Sequence, residues 1–482
     1  MSPDRDAVVV GAGPNGLAAA LVLARAGLAV EVHEAAATIG GGARTAELTL
    51  PGFRHDVCSA AHPMAMASPF FRAFDLAAHG VELLTPVVAY AHPLDGGRAG
   101  LAWQDLDRAV AGLGRDGPAW RALFGPLTDR WPGVVGLAMS DLRRWPPDPM
   151  AAVRFGLRVL EQGSPLAGVR FREAVAPALL AGVSAHAIAP PRSPAPAGAG
   201  LLLATLAHAV GWPIPRGGSQ SIVDAMAAEL RRLGGRIVTG HRVDTLAELP
   251  PARAVLLDVA PRGLLRLADG RLPARYERQL RAFRYGGAAC KVDFALSGPV
   301  PWAAAGCDLA GTLHLVGSRA EADAAERQVL AGRHPDRPYV LAVQPGVVDP
   351  SRAPAGRHTL WTYAHAPHGS TVDLGDAVTD QVERFAPGFR DLVLARNVIT
   401  AARAEDHNPN YVGGDIAAGA VTLLQTVFRP VPRWNPYATP IPGVYLCSSS
   451  TPPGPGVHGM CGVHAARHAL RDRFGITARS WP

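Results

Sequence analysis

Lysine is almost missing from this chain. Of 482 residues, 47 are lysine or arginine, and one of these is lysine, Lys291, so 46 of the 47 are arginine. Cysteine is sparse too: five residues (Cys58, Cys290, Cys307, Cys447, Cys461), an odd number with no C-x-x-C among them. That argues against a disulfide framework and against the dithiol relay of a disulfide reductase, and it predicts a reducing compartment. Long apolar runs are missing as well. The longest, Ala197 to Trp212, holds a histidine and stops short of the ~20 residues that a spanning helix needs. The N-terminus, "MSPDRDAVVVGAGPNG", has no basic n-region followed by an apolar core, which argues against a signal peptide and predicts a cytoplasmic protein. A formal net charge of +7 is spread over scattered arginines balanced by 40 acidic residues, with no basic run, so no nucleic-acid partner is expected.

What is present begins with a strong local pattern. A composition that is 48% hydrophobic over 482 residues predicts a large core and two to three domain-sized units. "DAVVVGAG" reads as a buried parallel strand and runs into Gly11-Ala12-Gly13-Pro14-Asn15-Gly16, a G-x-G-x-x-G. A helical pattern follows, with Pro14 in its first turn and Gly27 at its far end. A second strand, "AVEVHEA", then closes on Glu34. In such a βαβ unit Gly11 permits the tight turn, Gly13 lets the backbone approach a pyrophosphate, and Gly16 allows close helix–strand packing. The helix N-terminus faces the phosphates and Glu34 the ribose hydroxyls. A second glycine-rich stretch, Gly40-Gly41-Gly42, follows the acid and leads to Arg44, whose guanidinium suits phosphate or flavin-carbonyl contacts.

The stretches "VVVGAGPNGLAAALVLARAG", "GGGARTAELTLPGFRHDVCSAAHP", "WPIPRGGSQSIVDAMAAELRRLGG" and "GVYLCSSSTPPGPGVHGMCGVHAARHAL" resemble the phytoene desaturase-like FAD oxidoreductases. These sit within the wider flavin amine oxidase and carotenoid desaturase superfamily, and the resemblance runs from about Ala7 to Leu470. It implies an α/β fold with FAD as cofactor and a Rossmann-like FAD-binding domain assembled from residues 1–70, 204–284 and 425–482. An interleaved α+β substrate domain would take 71–203 and 285–424. The FAD residues it implies are Gly11, Gly13, Pro14, Asn15, Gly16, Glu34, Ala35, Gly41, Gly42, Arg44, Val243, Ser450, Gly459 and Met460. Val243 would meet the adenine through its backbone, and the helix after Gly459 would point at the pyrimidine end of the isoalloxazine. A further G-x-G-x-x-G at Gly454, Gly456 and Gly459 lacks a following strand and acid, so no separate NAD(P) domain is expected.

Between Phe70 and Leu203 the chain reads as helices broken by proline, with "IAPPRSPAPAGAG" as a loop. From Tyr285 to about Ile416 short strands are expected, while "GGRIVTGHRV" reads as two short strands and "AEDHNPNYVGGDIAAGA" as a polar loop. His464 and His468 stand four apart on a helix without a third ligand, so a structural role is expected and no metal. His55, His62 and His458 fall in flavin-proximal segments by resemblance, and Cys447 and Cys461 read as buried free thiols. "GGAACKVDFALSGPVPW" resembles the amine oxidase segment in which a strand lysine precedes a tryptophan, here Lys291 and Trp302. The implied catalytic role of Lys291 is to hold a water at flavin N5.

Three functions follow as expectations. The first is dehydrogenation, or desaturation, of a small hydrophobic substrate by hydride transfer to FAD, with oxygen, a quinone or a second substrate as electron acceptor and a peripheral membrane contact left open. The second is an oxygen-using amine oxidase. The third is a redox-neutral double-bond isomerase or a non-catalytic flavoprotein. The sequence specifies no oligomeric state.

Overall fold

The computed structural model describes residues 5–477. Ala7–Val10 (AVVV) forms a fully buried strand, as an unbroken β-branched run should in a sheet covered on both faces. It is the centre of a five-stranded parallel sheet whose order is Val444–Leu446, Ala254–Leu257, Ala7–Val10, Val30–His33, Arg236–Val238. Segments from the start, middle and end of the chain therefore hydrogen-bond side by side. The helix Pro14–Arg25 packs over this sheet against the helix Met460–Ala469. Their approach depends on Gly462, where a Cβ would stand 1.9 Å from the Asn15 carbonyl oxygen. The Ala18-Ala19-Ala20 run, all fully buried, keeps the facing side equally thin.

The second sheet has seven strands in the order Val393–Ile399, Ala288–Leu296, His358–Ala366, Val340–Val343, Ala310–Leu315, Val88–Leu94, Arg98–Trp103. All neighbours run antiparallel except Val88–Leu94 with Ala310–Leu315. Alternation along Ala288–Leu296 sends Val292, Phe294 and Leu296 into a core with Leu360, Phe385 and Phe389. Each such buried side chain contributes roughly 1.5–3 kcal/mol. The opposite face carries Lys291 and Asp293, registered against Tyr363 and Trp361.

The α/β class with a Rossmann-like parallel sheet is the one expected, and three local expectations are corrected. The region 70–203 is not all helix: Val88–Leu94 and Arg98–Trp103 form a hairpin that completes the seven-stranded sheet. Gly96 and Gly97, at φ +79° and +72°, make its turn. "IAPPRSPAPAGAG" is not all loop, because the helix Pro194–Ala209 starts inside it, with Pro194 in its first turn where a missing N–H costs nothing. "GGRIVTGHRV" gives one strand, Arg236–Val238. Beyond it the Gly240 and His241 N–H groups donate to the Ala36 and Glu34 carbonyls without continuing a ladder. Among the described residues no helix is long and apolar enough to cross a membrane.

Candidate cofactor and substrate site

The strand Ala7–Val10 ends at Gly11, whose φ of +103° is open to glycine at little cost. Gly16 sits one turn into the following helix, and a Cβ there would lie 2.0 Å from the Gly11 carbonyl oxygen. The turn therefore closes only on glycine. Gly13, at the start of the helix, brings no side-chain cap and Pro14 no N–H, while the Gly16 N–H donates to Asp258 Oδ2 at 3.0 Å. Glu34, just past the strand Val30–His33, accepts the Ala12 N–H at 2.8 Å and the Ala36 N–H at 2.9 Å, so its carboxylate is fixed beside the turn. The second glycine turn meets the first backbone to backbone: the Gly40 N–H donates to the Ala12 carbonyl, and a Cβ on Gly41 would stand 3.2 Å from Gly13 Cα. Arg44 Nε donates to the Gly41 carbonyl and its guanidinium also reaches the His407 carbonyl.

A cavity of about 1020 Å³ opens from these turns. At one end it is walled by Gly11, Gly13, Glu34, His241, Arg242, Val243 and Asp258. At the other it is walled by Phe155, Val159, Leu202, Leu203, Leu341 and Val343, with Trp361 and Tyr363 on the sheet side. Its volume is at the top of the ~300–1,000 Å³ range of small-molecule sites. The polar end fits a dinucleotide on two observations: backbone faces bared by glycine at a helix start, and a positioned carboxylate. Asn15 Oδ1, buried without a partner, adds an acceptor there.

Of the expected cofactor residues, Gly11, Gly13, Pro14, Asn15, Glu34, Ala35, Gly41, Gly42, Arg44, Val243 and Ser450 line the cavity. Gly16 packs beneath its floor. Gly459 and Met460 do not line it: the Met460 N–H donates to His458 Nδ1 at 3.0 Å, which leaves His458 as the wall residue. Lys291 is also set back. Its ammonium pairs with Asp293 and lies 4.7 Å from the ring centroid of Trp361, which does face the cavity. Burial lowers the Lys291 pKa against the pull of Asp293, and burial raises Asp293 to about 6 against the pull of Lys291. Trp302 is placed elsewhere, its indole donating to Gln344 Oε1.

His55 stands behind the wall with Lys291. Burial first, then the Lys291 and Arg352 charges, lowers it to about 3, so it is neutral. Next to it Arg352 donates to Asp56 at 2.7 Å in a fully buried pair, where loss of one partner would cost about 3–5 kcal/mol. His62 lines the cavity, bonded to the Ser219 hydroxyl at 2.7 Å, and burial lowers it to about 4. His464 is within hydrogen-bond reach of the Met139 carbonyl and His468 of the Asn435 amide. Cys447 and Cys461 are free and buried, with Cys461 pushed up to about 12 by burial.

Several wall residues carried no clear signal in the sequence. Asp258 follows the strand Ala254–Leu257 and turns its carboxyl to the cavity; the carboxyl end of a parallel strand is where ligands of open α/β sheets bind, so "AVLLD" held the clue. Asn408, Asn410 and Tyr411 come from the segment read as a polar loop, part of which is the short helix Ala404–His407. Buried Arg429 donates to the Ser449 carbonyl at 2.9 Å. His186 faces the cavity with its Nε2 2.9 Å from His314 Nε2, a pair contributed by residues 128 apart that no spacing rule reveals.

An NAD(P)-binding Rossmann-like domain matches residues 9–77. Solved structures align over nearly the whole chain: putrescine oxidase bound to putrescine, at TM-score 0.58 and 16% identity, covering 98% of this chain and 99% of that one. Cyclohexylamine oxidase from Brevibacterium oxydans aligns at TM-score 0.56 and 15% identity, covering 97% and 98%. The chain has the flavin amine oxidase fold. Among sequence relatives, a rat protein called pyridine nucleotide-disulfide oxidoreductase domain-containing protein 2 is 26% identical, over 98% of this chain and 94% of its own length. The 4,4'-diapolycopen-4-al dehydrogenase of Metabacillus indicus is 29% identical over 26% of each chain.

Proposed function

We propose that this protein is an FAD-dependent dehydrogenase acting on a small hydrophobic molecule. The observation that carries the reading is one cavity whose lining joins the glycine turns and Glu34 to an apolar wall of Phe155, Val159, Leu202 and Leu203. FAD held there would supply the hydride acceptor, flavin N5, and pass the electrons on to oxygen, a quinone or a second substrate. The glycine turns and Glu34 would hold the pyrophosphate and ribose, and the backbone near Val243 the adenine. The apolar wall would align the substrate and exclude water. The name of the Metabacillus relative, a dehydrogenase of a polyene aldehyde, agrees with an apolar substrate. The disulfide chemistry in the rat relative's name finds no counterpart, since this chain has no C-x-x-C. Anaerobic mixing with lipids or polyenes should bleach the flavin absorbance; a protein that neither purifies with flavin nor takes up FAD ends the reading.

A second reading, an oxygen-using amine oxidase, is favoured by the two amine oxidases that share the fold and by Lys291 beneath Trp361. Hydrogen peroxide release with amines and not with alkenes selects it. Isomer exchange that needs flavin but leaves it oxidised selects the redox-neutral alternative.

The surface supports delivery from a lipid layer. The helix Pro149–Gln162 turns Phe155 and Val159 to the cavity while exposing Met150, Val153, Leu157 and Leu160, a stripe at spacings of three and four. Leu423 both lines the cavity and is exposed, so apolar surface reaches its interior. Co-sedimentation with vesicles should fall when Leu157 and Leu160 are replaced by Asp. Equal co-sedimentation of the variant removes the membrane contact.

A further inference from the structure

At the polar end of the cavity one acid is in an unexpected place. Asp258 Oδ2 accepts the Gly16 N–H at 3.0 Å, at the start of the helix whose dipole should favour a phosphate. The two glycines that bare the turn open toward this same side chain: a Cβ on Gly13 would stand 3.0 Å from Asp258 Oδ2, and one on Gly11 3.0 Å from Asp258 Cβ. A diphosphate approaching Gly13 therefore arrives beside a carboxyl group. The backbone of Asp258 is clamped on both sides, its N–H donating to the Val10 carbonyl at 2.8 Å and its carbonyl accepting from Asn410 Nδ2 at 2.9 Å. A carboxylate and a diphosphate side by side repel, and the repulsion is removed most simply by a proton.

Resting on the dinucleotide reading above, we propose that Asp258 enters the cofactor complex as a neutral carboxylic acid. It keeps the Gly16 N–H on Oδ2 and donates its own O–H to an oxygen of the diphosphate. When the free protein is ionised at Asp258, binding takes one proton from solvent.

The surroundings agree. Burial, and secondarily the nearby Glu34 carboxylate, raise Asp258 to about 7, against the single opposing N–H of Gly16. The other titratable groups facing it are the thiols of Cys447, next to the end of the adjacent strand, and Cys461, on the C-terminal helix. Burial keeps both protonated. Asn408, Asn410 and Tyr411 bring only neutral groups, and Arg44 directs its guanidinium to the Gly41 and His407 carbonyls.

The sign follows from linkage. Below the Asp258 pKa affinity for FAD is flat, and above it the dissociation constant rises by about tenfold per pH unit as the free protein loses the required proton. Apoprotein titrated with FAD from about pH 5.5 to about pH 9 should show this bend, while Asp258→Asn should give a flat profile and bind about tenfold or more tightly than wild type at the alkaline end. Parallel profiles overturn the proposal. Should the variant fail to fold, calorimetry of the wild type at about pH 8.5 in two buffers of different ionisation enthalpy gives the answer alone: about one proton taken up per FAD supports it, and none overturns it. Failure of the wild type to bind FAD at any pH overturns the dinucleotide reading and this inference with it. Binding without proton uptake overturns this inference only.

Discussion

At the end of the cavity proposed for the dinucleotide the wall is largely backbone, bared by Gly11, Gly13, Gly41 and Gly42, with the two acids Glu34 and Asp258 beside it. At the end proposed for the substrate it is side chains, brought by the helices Pro149–Gln162 and Pro194–Ala209 and by the strands Val340–Val343 and His358–Ala366. The first kind of wall tolerates almost no change, because its contacts are set by atoms every residue has and by the absence of a side chain. The second can be reshaped one residue at a time while the cofactor stays where it is. A fold of this type can therefore keep a cofactor and exchange substrates.

The sharpest way to break that contrast is Gly16→Val. Its branched side chain would drive into the Gly11 carbonyl, and the expected outcome is loss of FAD binding by more than about 100-fold or loss of soluble protein, read by flavin content. Normal flavin content would show that the turn is not the rigid element claimed. Glu34→Ala comes next. It leaves the Ala12 and Ala36 N–H groups without their acceptor, each worth about 1–3 kcal/mol, so FAD affinity should fall about 10- to 100-fold while the saturated enzyme reduces its flavin at the usual rate. At the other end, Val159→Trp should leave FAD affinity unchanged and raise KM about tenfold for large substrates by filling the apolar wall, and a parallel loss of FAD would show the two ends to be coupled. The smallest effect is expected from Lys291→Met: FAD retained, with flavin reduction or reoxidation slowed by roughly three- to tenfold in stopped flow. Unchanged rates for both steps would remove Lys291 from the mechanism.

The same contrast explains what could be read in advance. Gly11 to Gly16 and Glu34 lie within 24 residues and obey spacing rules set by backbone geometry, so the strand, helix and acid were legible together. Asp258 joins them only because the strand Ala254–Leu257 pairs with Ala7–Val10, a contact spanning some 247 positions that no local pattern encodes. The hairpin Val88–Trp103 is hidden for a related reason: it lies among helices, and its seven-stranded sheet is completed by a parallel pairing with Ala310–Leu315. At the substrate end, His186 and His314 meet across 128 positions, and nothing in either neighbourhood announces the other. Met460 shows the opposite case. The helix it begins is legible in the sequence, yet its N–H goes to His458, because the preceding Gly459, at φ +70°, brings that ring back over the helix start.

The single lysine also makes the molecule its own unfolding reporter. A protease that cuts only after lysine has one target in the entire chain, and that target lies buried in the strand Ala288–Leu296, paired on both sides within the seven-stranded sheet. Cleavage there cannot begin until both neighbouring strands let go, so the appearance of two fragments times the opening of the sheet without any label or mutation.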